Sequence, residues 1–244
     1  MKKLLLFAFI LCSLYFLNAQ GPSGRAVNLS SGSNGMGGSG YGSNNLLNFV
    51  KGEWTIEKSE RDDLNGSNYL FDDWSNNAEI YDLNGKGFKL EHCNFNVAKN
   101  NVEAMFDRAT NKSFVFNSND LSKVRIGNRF FVKKDIGNNR NSLLEVIQVG
   151  VNFSIYKIYE TEMVLATLNP MTQKKMGKDR IVINSIYFIQ KEGKLKQIKF
   201  KKSTVLKLMS DKKEEIKEFV GENNISFKNE VDIKKVFSYY NELI

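Results

Sequence analysis

The chain has a single histidine, His92, and Cys93 stands beside it in "EHCNF". A thiol and an imidazole within reach of each other would make a nucleophile and its base. These two are consecutive in a stretch that reads as a strand, where neighbouring side chains point to opposite faces. They therefore cannot form such a pair. His92 keeps the parity of Phe88 and Leu90, which predicts a packed histidine. One histidine also removes multi-histidine metal sites. The motifs G-x-S-x-G, H-E-x-x-H and G-x-x-x-x-G-K-[ST] do not occur.

Paired acids are the next candidates. Asp62-Asp63 and Asp72-Asp73 both occur, the latter in "LFDDWSNNAE". A calcium loop would use Asp73, Ser75, Asn77 and Glu79, but Ala78 stands where that loop needs glycine, and Asn84 replaces the closing acid. Two carboxylates beside Trp74 would suit glycoside cleavage with a sugar platform. Adjacent acids in a turn are more commonly turn formers, and that reading takes precedence. Neither a catalytic residue, a metal ligand nor a cofactor-binding residue is assigned, and no cofactor is expected. The Gly35, Gly37 and Gly40 spacing matches a dinucleotide motif on paper, but lacks the flanking strand and helix that give it meaning.

Basic residues carry the strongest compositional signal. The formal charge is +8, and residues 171–207 hold eleven Lys or Arg against Asp179 and Glu192. Within them, Lys174, Lys175, Lys178 and Arg180 fall in a loop, and Lys194, Lys196, Lys199, Lys201 and Lys202 in and after a strand. These nine form a candidate polyanion contact, with an anionic envelope glycan or lipid headgroup as partner. The alternative is a lysine-guarded strand edge. Nucleic acid is disfavoured, because Tyr187, Phe188 and Phe200 sit in apolar strands rather than among exposed lysines as a stacking surface would. A bulge near Gln197 is expected, to reconcile Lys194 and Lys196 with the inward parity of Ile198.

These residues must be positioned by a β-rich framework. From 49 to 202 the chain alternates short apolar runs with turn signals. Asn84-Gly85, Gly127-Asn128 and Glu192-Gly193 mark tight hairpins. About ten locally connected strands predict an antiparallel meander, either an open sheet or a partly closed barrel. From 203 the period becomes helical. Val205, Leu208 and Met209 share one face; Ile216, Phe219 and Val220 share another. Ile233, Val236, Phe237 and Tyr240 follow at i, i+3, i+4 and i+7, behind a capping Asn229. Asp211 and Glu214 have capping-box spacing. About three helices should therefore dock on the sheet, giving an α+β fold. The segment 211–222 has five acids and three lysines, the wrong balance for a membrane-surface helix.

Residues 1–19 read as a secretory signal: Lys2 and Lys3, an apolar run from Leu4 to Leu17, and Ala19 before Gln20. Residues 20–48 are dominated by Gly, Ser and Asn and read as a disordered tether. Cleavage would leave Cys93 as the one thiol, so packing alone must hold the fold. No transmembrane segment is expected after cleavage.

The leader ending "NAQ", the motif "YLFDDWSNNAEIY" and the closing stretches "GKLKQIKFKKSTVLKLMSDKKEEIKEFV" and "NNISFKNEVDIKKVFSYYN" resemble a group of exported proteins of Bacteroidota without an assigned activity. The resemblance implies export through the Sec pathway, to the periplasm, the cell surface or beyond, and lends no functional residues. The leading expectation is a non-catalytic envelope or cell-surface protein that binds another molecule. The alternatives are a glycan-active enzyme using the acids near Trp74 and a lipocalin-like carrier with an empty barrel. Mass spectrometry of the exported protein should give an N-terminus at or near Gln20; an intact Met1 on a membrane-bound species would contradict the leader reading.

Overall fold

The computed structural model describes residues 51–56 and 64–244, together with the backbone of Asn28–Leu29. The expected leader, most of the Gly/Ser/Asn-rich stretch and Asp62-Asp63 lie outside the described residues. Among the described residues thirteen strands and three α-helices follow one another in that order. The strands are β1 (Asn28–Leu29), β2 (Gly52–Ile56), β3 (Leu64–Asn65), β4 (Asn76–Asp82), β5 (Gly87–Asn96), β6 (Asn101–Asp107) and β7 (Lys112–Phe116). After a 3-10 turn at Ser118–Asp120 come β8 (Leu121–Ile126), β9 (Arg129–Asp135), β10 (Asn141–Gln148), β11 (Ser154–Val164), β12 (Asp179–Lys191) and β13 (Lys194–Ile198). The helices are α1 (Lys202–Leu208), α2 (Lys213–Glu222) and α3 (Glu230–Glu242).

Turn chemistry sets the hairpins. Asp82 accepts hydrogen bonds from the backbone N–H of Asn84 and Lys86, and Gly85 takes φ +81° between them. Glu192 and Gly193 both have positive φ between β12 and β13, the pattern of a two-residue hairpin whose twist matches its strands.

The sheet runs β13-β12-β11-β10-β9-β8-β4-β5-β6-β7-β2. β2 joins the far edge by pairing with β7, and the meander from β4 onward is broken once: β8 pairs with β4 rather than with β7. Two short pairs are parallel, β1 with β5 and β3 with β12. The β1 pair falls inside the stretch expected to be a free tether.

That break forces curvature. Three strands separate β7 from β8 in the order, so a flat sheet would hold them about 19 Å apart. Only residues 117–120 connect them. Even fully extended, that link spans at most about 18 Å, and its 3-10 turn makes it much shorter. The strands β8-β4-β5-β6-β7 therefore curl around one apolar interior. Phe88, Phe95, Phe116, Leu121 and Ile126 fill it, and Phe95 of β5 stacks on Phe131 of β9 at 4.8 Å.

The sheet does not close, so the barrel alternative is corrected. Among the described residues the edge strands β2 and β13 do not pair with one another. Phe131 of β9, Leu143 of β10 and Tyr159 of β11 join the curled interior, and β10–β13 also carry residues that pack under the helices. The curled interior is filled by apolar side chains, phenylalanines among them.

Two sequence-level parities also change. Asn76 pairs with Cys93 and Ala78 with Leu90, so β5 carries an extra residue there. His92 takes φ +57° in this bulge and turns outward to Arg108, whose Nη2 lies 3.1 Å from its Nδ1. Cys93 is fully buried instead, and burial pushes its thiol up, which leaves it inert. Near Gln197, by contrast, the β12–β13 register is unbroken and the expected bulge is absent. Lys196 shares the face of Ile198 because an edge strand lets its side chain reach solvent.

The helices dock as their stripes require. Val205, Met209, Ile216, Val220, Ile233, Val236, Phe237 and Tyr240 are buried against Ile147, Phe153, Ile155 and Ile189. Phe219 is half-buried and stacks on Tyr239 at 4.2 Å. Asn229 caps α3, its Oδ1 accepting from Val231 N at 2.9 Å. Asp211 does not cap α2. Its carboxylate instead accepts a hydrogen bond from Tyr240 OH, which in turn accepts from Asn152 Nδ2 at 2.8 Å.

Between the curled interior and the helical core runs a buried charged seam. Register places Phe131, Glu145, Lys157 and Tyr187 on one face of the sheet. Lys157 Nζ lies 3.2 Å from Glu145 and 2.6 Å from Glu230 at the start of α3. Tyr159 OH donates to Glu145 and accepts from Arg129 at 2.9 Å, while Tyr187 OH donates to Glu230 at 2.9 Å. Lys234 closes the chain, 3.2 Å from Glu230. Burial, then the neighbouring carboxylates, push both phenols well above their ordinary value. Burial alone would raise the Glu230 carboxyl too, but the hydrogen bonds and charge of Lys157, with Tyr187 and Lys234, outweigh it and hold that carboxyl below its ordinary value of 4.5.

Phe237→Ala should cost about 3–5 kcal/mol in chemical denaturation. Lys213→Ala, on the wet side of α2, should stay within about 0.5 kcal/mol. Lys157→Ala should cost about 3–5 kcal/mol, since it strands the buried Glu145 and takes one partner from the partly buried Glu230. Because the Glu230 carboxyl is depressed in the folded state, its contribution is full above the unfolded value and is lost as pH falls below about 4.5. Urea midpoints at pH 7 and pH 3.5 should therefore converge more for Glu230→Gln than for the parent; equal falls would contradict the seam's role.

Candidate functional site

The last β10–β11 pair before the cleft is Glu145 with Lys157. Beyond it, β10 pairs only with β9, and β11 only with β12. The two strands part, and a cleft of about 840 Å³ opens between them and the curled half of the sheet. Its other walls are the β5–β6 turn, the 3-10 link and the start of β2.

Asparagine dominates the lining: Asn100, Asn101, Asn117, Asn119 and Asn141, with Ser118 and Ser142. Some of these amides build the cleft. Asn100, at φ +51° in the turn, bonds both backbone groups of Leu143, accepting from its N–H at 2.7 Å and donating to its carbonyl at 3.0 Å. That pair staples the β5–β6 turn to β10. Ser118 Oγ donates to Asn100 O at 2.7 Å, and Lys133 Nζ donates to Asn119 O at 2.6 Å, which fixes the link over the same corner. Asn117 caps the 3-10 turn through Asn119 N.

Other polar atoms remain available. Asn101 is buried, lines the cleft, and its Oδ1 has no hydrogen-bond partner among the described residues. Asp120 Oδ2, at the end of the link, is likewise buried and unpartnered among them. An unsatisfied buried acceptor costs about 1–3 kcal/mol and calls for an explanation. The charged lining is nearly balanced: Lys51, Lys99 and Arg140 against Glu53 and Glu160. The cleft lining contains neither histidine nor cysteine. Among the described residues no three His, Cys, Asp or Glu side chains gather in a way that could hold a metal ion.

The acids near Trp74 are placed apart from this cleft. Asp73 is spent on its own turn: hydrogen bonds from the Ser75 hydroxyl and backbone hold its carboxyl below its ordinary value. Trp74 is half-buried with its ring edge-on to Tyr69 at 4.9 Å, and Tyr69 OH is anchored to the buried Glu103 at 2.9 Å. Its ring is committed to packing rather than presented as an open platform.

The nine basic residues are all exposed, but they separate into two groups. Lys174, Lys175, Lys178 and Arg180 lie at the start of β12 and in the loop before it. Lys194, Lys196, Lys199, Lys201 and Lys202 lie at its other end, where Lys196 pairs with Ile189. Nine residues of strand separate Arg180 from Ile189, about 30 Å. That distance is nearly four Debye lengths of about 8 Å at physiological salt, so the groups act as two contacts rather than one. Lys175 is also engaged locally, its Nζ 2.6 Å from Asp179.

Sequence reasoning missed the cleft. Its asparagines lie in turns and strand ends, where asparagine reads as a turn former, and no local signal marks which of them face a common space. No family model, curated protein or solved structure matches the chain.

Proposed function

We propose that the protein is an exported, non-catalytic binding module of the cell envelope or surface, and that the asparagine-lined cleft is its ligand site. The reading rests on one observation: a large polar cleft into which Asn101 brings a buried acceptor without a partner among the described residues. A primary amide offers two donors and two acceptors in one plane, which suits adjacent hydroxyls on a sugar ring. The near balance of charge in the lining favours a neutral or weakly charged, hydroxyl-rich ligand over a polyanion. The cleft's size falls within the range of small-molecule sites. On this reading the two exposed basic groups are separate contacts for anionic groups of an envelope glycan or lipid headgroup. The leader and the likeness to exported Bacteroidota proteins support placement outside the cytoplasm.

The test is binding of a panel of neutral and acidic oligosaccharides, followed by calorimetry. A neutral oligosaccharide should bind, and Asn119→Leu with Asn141→Leu should weaken it about tenfold, the effect of a lost polar contact or two, with the thermal midpoint unchanged. Binding indifferent to both substitutions would move the site elsewhere. Turnover of a bound sugar that Glu160→Gln abolishes would overturn the non-catalytic reading.

A further inference from the structure

Past Ile158 and Ile186, β11 and β12 continue as a pair beyond their flanking strands β10 and β13. Apart from the short β3 contact at Asp179 and Arg180, they form a two-stranded arm. Its loop, 165–178, is a built structure. Leu168 bridges to Lys175, Met176 N donates to Thr167 O at 2.7 Å, and Asn169 N donates to Lys174 O at 2.8 Å. At the apex Asn169 Oδ1 accepts from the backbone N–H of Met171 at 2.9 Å and of Thr172 at 3.1 Å. At the base Asp179 holds Ala166 N and Lys175 Nζ.

This fixed loop carries apolar side chains into solvent. Met163, Leu165, Leu168, Met171 and Met176 are all exposed, and Met171, at the apex, is 94% exposed. Scattered surface apolar residues need no explanation, but five on one hairpin end form a patch. The loop has three lysines and no acid. Arg180 adds a fourth cation beside them. We propose that the tip of this arm inserts its methionines and leucines into the surface of a bilayer bearing anionic lipid, with Lys174, Lys178 and Arg180 on the headgroups.

Three features select that occupant. Residues 163–180 carry four cations against Asp179 alone, which is paired with Lys175, so a second copy of the same tip would repel it, whereas an anionic surface attracts it. Residues 163–180 contain no aromatic side chain, so bases would have nothing to stack on. Unbranched methionine side chains adapt to a disordered apolar medium without a shaped pocket. None of the helices among the described residues is long and apolar enough to cross a membrane, so this contact would be peripheral. The inference rests on reading the tip cluster as an anion contact and does not involve the cleft.

The experiment is co-sedimentation of the full mature chain with vesicles of phosphatidylcholine, alone or mixed with phosphatidylglycerol, alongside binding to heparin as a soluble polyanion. The mixed vesicles should retain the protein and the neutral ones should not. Met171→Asp should weaken retention about tenfold, Met171→Leu should restore it, and Lys174→Ala with Lys178→Ala should remove the preference for anionic lipid. All three positions are exposed, and unchanged thermal midpoints would confirm intact folding. Vesicle binding indifferent to Met171→Asp overturns insertion while leaving an anion contact in place. Heparin binding without vesicle binding has the same meaning, and absence of both removes the anion contact as well. Self-association abolished by Met171→Asp, without vesicle binding, would overturn the proposal in favour of a second copy as occupant.

Discussion

The four-residue link between β7 and β8 is the constraint on which the rest depends. It is too short to cross a flat sheet, so the sheet must curl. The curl encloses the phenylalanine-rich interior and brings the β5–β6 turn over β10. Asn100 then pairs with the backbone of Leu143, and the corner so formed becomes one wall of the cleft. The opposite wall exists because β11 leaves β10 after Lys157. Core, cleft and projecting arm thus follow from one connection and one strand divergence.

Lys157 is the second organising element. Two apolar clusters meet on one face of the sheet, one inside the curl and one under the helices. At their junction a single ammonium serves Glu145 from the sheet and Glu230 from α3. Each carboxylate also accepts from a tyrosine, Tyr159 or Tyr187, so the buried charges are bonded as well as paired. Such a network adds less net stability than an apolar filling of equal volume would. The pairing of Glu230 with Lys157 ties the first turn of α3 to the sheet, beside the apolar contacts of its later turns. An acid in the first turn also suits the positive end of the helix.

Surface chemistry is divided in the same way. The cleft is amide-rich and nearly neutral, the hairpin tip is basic and apolar, and the far end of β12 is basic alone. At about 30 Å the two basic ends of β12 are electrically independent in physiological salt. A compositional excess of lysine over 171–207 therefore resolves into two sites with different neighbours, only one of which carries exposed methionine and leucine.

The elements themselves were legible by sequence. Asn84-Gly85 and Glu192-Gly193 placed hairpins, the 3.6-residue spacing of Ile233, Val236, Phe237 and Tyr240 placed α3, and Asn229 capped it, because all of these depend on residues within a few positions of one another. Tertiary structure decided the rest. β8 lies against β4 because of pairing partners far apart in sequence. His92 faces out and Cys93 in because a bulge opposite Asn77 shifts the parity of β5, and nothing within "EHCNF" signals the extra residue. Asp211 looked like a helix cap until Tyr240, at the other end of the helical segment, took its carboxylate. The cleft asparagines read singly as turn formers, and only the curl gathers them around one space. Local sequence governs turns, caps and periodicity through short-range sterics and hydrogen bonds. Strand neighbours, bulges and shared surfaces arise from long-range packing, which no window of consecutive residues contains.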